Sequence, residues 1–185
     1  MFLLVLILSI SSSVRAQEWK TIQKDTSTFP LAWEGIWTGT LQIFFPGVAP
    51  REIPMRLEII PEDSLSWSWT LVYYANDSED RRAYRLLPVH PENGAWQIDE
   101  QNGILLGGQV LGPVFVSRFE VEGQLLLARY GLEADRIRFE ILAGGMDVES
   151  TGGPQEGENP LEATPEVNWY HVNVYQKAIL ERSYD

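Results

Sequence analysis

The sequence predicts an all-β protein, an antiparallel up-and-down β-barrel of about 8–10 strands. Three observations carry this reading. From Ile36 onward, apolar and polar residues alternate with period two in run after run, the pattern of strands with one buried face. Tight-turn signals separate the runs, among them Asn93-Gly94, Asn102-Gly103 and Glu122-Gly123, whose residues accept positive φ. Almost every connection before Ala143 is short. Strands adjacent in sequence should therefore be adjacent in the sheet, and a meander of this length curls and closes to remove its edges. A sandwich would need longer Greek-key crossovers.

Phe2 to Ile10 form an apolar run, followed by Ser11-Ser12-Ser13 and Val14-Arg15-Ala16. This is the form of a signal-peptide core with a small-residue cleavage site, although no Lys or Arg precedes Phe2. Residues 1–16 are expected to be a signal peptide and the protein to be secreted or periplasmic. The run falls short of the roughly 20 apolar residues that cross a bilayer, so no stable membrane span is expected. Residues 17–32 are a polar, irregular N-terminal lead-in ending at Phe29-Pro30.

A single β-barrel domain is expected over 33–182. In its first strand Trp37, Gly39, Leu41, Ile43 and Phe45 share a face. In the second, Ile53, Met55, Leu57 and Ile59 oppose Glu52, Arg56 and Glu58. In the third, Leu65, Trp67, Trp69, Leu71 and Tyr73 oppose Ser66, Ser68 and Thr70. Further runs follow at 82–89, 95–100, 104–111, 114–121, 124–130 and 136–142, and a last one at 169–180. Between the last two lies 143–167, rich in glycine, proline and acid and without a basic residue. It reads as a flexible acidic loop, because such a composition buries too little apolar surface to offset its ordering entropy.

Formal net charge is −12, which argues against nucleic acid and anionic membrane surfaces as partners, since both select for Lys and Arg. With no cysteine there is no disulfide framework, thiolate nucleophile or zinc-thiolate site. Disulfides are common in eukaryotic secreted domains, so their absence favours a bacterial envelope.

Gly35 and Trp37 stand where the first strong strand begins. In this the chain resembles the lipocalin and fatty-acid-binding (calycin) superfamily, in which a Gly-x-Trp opens an antiparallel meander that closes into a barrel. The resemblance implies a basic side chain from the last strand stacked over the tryptophan, with Lys177 or Arg182 as candidates. Gly35, Trp37 and Gly39 are also similar to the opening of nitrobindin-type haem barrels, with Leu41 in place of a third glycine. His171 on the last run has no second matching residue to support haem ligation.

Chemistry-bearing patterns are sparse. No Gly-x-Ser-x-Gly occurs, and Ser66, Ser68 and Ser117 have no histidine at a recognisable spacing. His90 and His171 form no metal-ligand pattern, so no metal site and no cofactor are expected. The protein is therefore expected not to be an enzyme. The leading expectation is non-catalytic binding of a small apolar ligand (a lipid, isoprenoid or tetrapyrrole) inside the barrel, lined by Trp37, Trp67, Trp69, Trp96, Phe115 and Phe119. In the alternative, the same aromatics simply fill the core, and the barrel is a structural or protein-interaction module of the cell envelope.

Overall fold

A computed structural model of the protein describes residues 29–153 and 164–184. The expected signal peptide, and the lead-in as far as residue 28, lie outside the described residues.

Ten strands close into an antiparallel barrel, as the alternation and short turns predict. Nine follow one another around the wall: β1 (Gly35–Phe44), β2 (Arg51–Pro61), β3 (Trp67–Ala75), β4 (Ser78–His90), β5 (Ala95–Asp99), β6 (Leu105–Leu111), β7 (Val114–Val121), β8 (Gln124–Glu133) and β9 (Arg136–Gly145). A separate hairpin of β10 (Val148–Gly152) and β11 (Val167–Tyr170) precedes β12 (Val174–Ser183), which enters between β9 and β1 and completes the ring. Among the described residues no helix is long and apolar enough to cross a membrane.

The turn chemistry is local. Glu122 and Gly123 both take positive φ between β7 and β8. A second such turn, Asn76-Asp77 between β3 and β4, was not among the expected turns, yet both residues sit at positive φ. Asn and Asp tolerate that region better than other residues with a Cβ.

The closing seam pairs Trp37 with Arg182 and Gly39 with Leu180. A Cβ on Gly39 would run into the carbonyl oxygen of Ile179, so the small residue lets β12 lie against β1. Of the two candidates for the cation over Trp37, it is Arg182 that stacks there, its Cζ 4.1 Å from the ring centre. Lys177 lies over Phe44 instead, at 5.2 Å.

One end of the barrel is plugged by the segment ahead of β1. Leu31–Trp33 form a single 3₁₀ turn, and Trp37 Nε1 donates to the Trp33 carbonyl at 2.9 Å. Phe29 stacks on Phe115 at 5.3 Å and meets Trp33 and Trp96 edge-on at 5.1 and 5.3 Å. Aromatic side chains bury large areas and pair best in such offset or edge-to-face geometries. The Phe115 ring lies over Gly108 of β6, where a Cβ would collide with it.

Three boundaries differ from the expected layout. Leu65 lies outside β3 and is exposed, because the chain turns at 62–66 through hydrogen bonds from the Glu62 and Asp63 amides to the Ser66 carbonyl. The segment 143–167, expected as a loop, contains the end of β9, all of β10 and the first residue of β11. The last expected run, 169–180, is divided: Trp169 and Tyr170 belong to β11, and the final barrel strand begins only at Val174.

Candidate functional site

Inward-facing side chains divide the barrel interior into two halves. At the plugged end Trp37, Trp69 and Phe115 are wholly buried, and Trp67 and Trp96 nearly so. They belong to one buried cluster joined by Phe29: Trp67 meets Trp96 at 5.8 Å, Trp69 meets Phe115 at 5.7 Å, and Trp69 meets Tyr130 at 5.0 Å. Five of the six residues expected to line a ligand thus gather here, packed against one another. Phe119 stands apart, partly buried near the end of β7.

Toward the other end the wall is apolar but only partly buried, with Ile43, Ile53, Leu106, Phe119 and Ile141 facing in. Strand polarity places all five on the side away from Phe29, near the end of β1, β7 and β9 or the start of β2 and β6. Tyr73 and Tyr84 belong to the same half, and Tyr130 lies deeper, against Trp69 and Phe139.

These tyrosines supply the polar groups of the interior. Burial pushes the Tyr73 hydroxyl up to about 12, against the opposing pull of the Arg82 cation. Burial also raises Tyr84, with the Glu100 carboxylate adding to it. Burial raises Tyr130 most strongly, with smaller contributions from Tyr73 and Tyr84. All three are therefore neutral O–H donors at ordinary pH. The Trp69 indole nitrogen, fully buried, has no aligned hydrogen-bond partner among the described residues. The Tyr130 hydroxyl senses its N–H, but the pair does not form a well-directed bond.

At the rim, Arg82 lies over the Tyr73 ring at 5.1 Å and donates from Nε and Nη2 to one oxygen of Asp80, at 3.2 and 2.9 Å. An arginine carries five N–H donors, so this pairing leaves three. The sequence reading missed Tyr84, Tyr130 and Arg82 as site residues. The available signal was parity: each sits an even number of positions from an inward-facing apolar residue, Leu86 on β4 or Ala128 on β8.

His171 lies outside the barrel, exposed between β11 and β12, with Nε2 3.1 Å from a Glu149 oxygen. A cavity of about 620 Å³ also lies outside, between the β10–β11 hairpin and the wall.

No protein family and no curated protein matches the sequence. A solved structure does match: the S-type phycobiliprotein lyase CPES from Guillardia theta, with a TM-score of 0.60 and 10% identity, covering 90% of this chain and 97% of that one. The likeness is one of fold. It supports the lipocalin-like, calycin-type barrel implied by Gly35 and Trp37. It also corrects one expectation. The absence of a complete catalytic motif predicts a protein that is not an enzyme, but a barrel of this form belongs to a protein named a lyase. A passive role therefore does not follow from the architecture.

Proposed function

We propose that the protein takes up one small, mostly apolar organic molecule in the half of the barrel away from Phe29. An oxygen acceptor on that molecule is received by the hydroxyls of Tyr73, Tyr84 and Tyr130 and by the Trp69 indole N–H. The carrying observation is Trp69 Nε1, wholly buried, on the inward face and without a well-directed hydrogen bond among the described residues, the Tyr130 hydroxyl beside it being poorly aligned. A buried donor left unsatisfied costs about 1–3 kcal/mol, which an acceptor on a guest would remove. Ile43, Leu106, Phe119 and Ile141 supply the apolar wall, and the packed tryptophans become the floor. A mostly apolar concavity with a few convergent polar groups is the usual form of a small-molecule site. The likeness to a barrel named a lyase supports a working interior over a purely structural one. This reading takes the protein to be exported, supported by the Phe2–Ile10 run and the lack of cysteine.

The test is a titration of the full chain with 8-anilinonaphthalene-1-sulfonate, an apolar probe with acceptor oxygens, read by energy transfer from tryptophan. Saturable binding is expected, weakened about 5-fold or more by Tyr130→Phe and by Tyr73→Phe, as loss of one buried donor implies. Absence of saturable binding, or binding indifferent to both substitutions, overturns the reading.

A further inference from the structure

The outer wall of the barrel changes character along β8 and β9. Near their β8–β9 turn the outward residues are ion-paired: Arg138 with Glu133 at 2.8 Å, and Arg136 with Glu181 at 3.4 Å. Farther along, at the other end of the same two strands, they are Leu125, Leu127 and Leu142, while the intervening Leu126 faces inward opposite Ala143. Apolar residues on both faces of a strand suit a wall with chain packed against each face, and here the outer face is partly covered.

The cover is the β10–β11 hairpin and the segment after it. Tyr170, His171 and Val172 stand beside Leu125, Leu127 and Leu142 and form with them a half-open cavity of about 620 Å³. It is fixed at its base. Gly144 admits the return chain, since a Cβ there would collide with the His171 carbonyl oxygen. The Asn173 amide donates to the Ala143 carbonyl at 2.8 Å. The hairpin is braced by the His171–Glu149 contact at 3.1 Å and by the Trp169 ring against His171 at 4.6 Å.

At one side stands Arg118 of β7, in register with Leu127. It makes no ion pair with any described carboxylate, whereas Arg129, Arg136 and Arg138 on neighbouring strands are all paired. Beside an apolar cavity, a cation without a carboxylate partner among the described residues stands out in so acidic a chain.

We infer that this cavity is a second binding site, for a single-chain amphiphile with a carboxylate head: the chain along Leu125, Leu127 and Leu142 under Tyr170 and Val172, the head on Arg118. The volume falls within the roughly 300–1,000 Å³ of single-ligand sites, and a guanidinium receives a carboxylate through two parallel N–H bonds. This site is separate from the barrel interior, and Val172→Asp and Tyr130→Phe tell a guest here from one inside the barrel.

The test uses cis-parinaric acid and its methyl ester, titrated into the full chain and followed by probe fluorescence. The acid is expected to bind saturably and the ester about 10-fold more weakly, the scale of a lost charge-assisted hydrogen bond. Arg118→Gln should bring the acid down to the ester's affinity. Leu127→Asp should abolish binding of both, as should Val172→Asp, which lies off the barrel and leaves its wall intact. Tyr130→Phe, in the interior, should change neither. Binding that survives both aspartate substitutions, binding that responds to Tyr130→Phe instead, equal binding of acid and ester, or no saturable binding would each overturn the assignment.

Discussion

Arg182 of the last strand lies over Trp37 of the first, its Cζ 4.1 Å from the ring centre, while donating to the Glu34 carbonyl and, at 3.2 Å, to the Ala32 carbonyl. One side chain thus joins the closing seam to the segment that plugs the barrel. The guanidinium suits this double duty because its face stacks while its edge donates. Replacing Arg182 with Ala should lower the free energy of unfolding by about 2 kcal/mol, combining a cation–π contact with hydrogen bonds from a charged donor to two carbonyls. Arg182→Lys, which keeps the charge but not the planar fork, should recover only part. Urea unfolding followed by tryptophan fluorescence measures both, and equal midpoints for wild type and Arg182→Ala would contradict the role.

Gly39 is expected to be intolerant for a different reason. Its neighbour across the seam is backbone, the Ile179 carbonyl, which cannot rotate aside. Gly39→Ala should cost about 1–3 kcal/mol, in the range of overpacking substitutions. By contrast, Gly47 at the β1–β2 connection has open space around it, although its positive φ adds strain of its own. Gly107, with open space and no positive φ, is the clean control, and Gly107→Ala should leave the unfolding midpoint nearly unchanged.

Alkaline stability follows from the interior tyrosines. Tyr73 and Tyr130 are raised by burial above the ordinary value of 10.0, Tyr73 to about 12. A group whose folded pKa lies above its unfolded one contributes stability that is complete below the unfolded value and is lost as pH rises through the folded one. The thermal midpoint should hold to near pH 10 and then fall steeply toward pH 12. Tyrosinate absorbance from these two side chains should appear together with unfolding, and ionisation of all tyrosines before any loss of tertiary signal would refute this. Glu58 acts in the opposite sense: held low chiefly by its hydrogen bond from Arg81, it stabilises above the ordinary carboxylate range, and that contribution is lost as pH falls through its depressed value.

Export has its own check. When the full-length chain is expressed in a bacterium with a functioning secretion system, N-terminal sequencing of the accumulated protein should begin at Gln17, after Val14-Arg15-Ala16. Recovery of uncleaved protein from the cytoplasm alone would count against an exported role.

The barrel was legible because its determinants are local. Period-two alternation in Met55, Leu57 and Ile59, or in Trp67, Trp69 and Leu71, specifies the inward face strand by strand, and positive-φ residues such as Gly123 mark the reversals. The β10–β11 hairpin was illegible because its strands pair only with each other. Their five and four residues lie within a stretch dominated by Gly, Pro and acid. The interior site was half legible. Alternation shows that Trp69 and Tyr130 face inward, but not that Phe29 fills the floor beneath them, because that contact joins a lead-in residue to strands far along the chain. Nor does the pattern distinguish a tyrosine hydroxyl deep in the wall from one at the rim, a matter of depth that period two does not encode.

The seam between β1 and β12 also bears on how the protein is made. Its paired residues lie as much as 147 positions apart, Ile36 against Ser183, so the sheet stays open along two edges, β1 and β9, until the final strand is in place. During that interval the tryptophan-rich inner face is exposed to water, and unpaired strand edges are the features through which nascent β proteins aggregate. A chain arrested or clipped before Val174 would keep both edges permanently, which makes the last ten residues of the barrel wall a quality-control point out of proportion to their length.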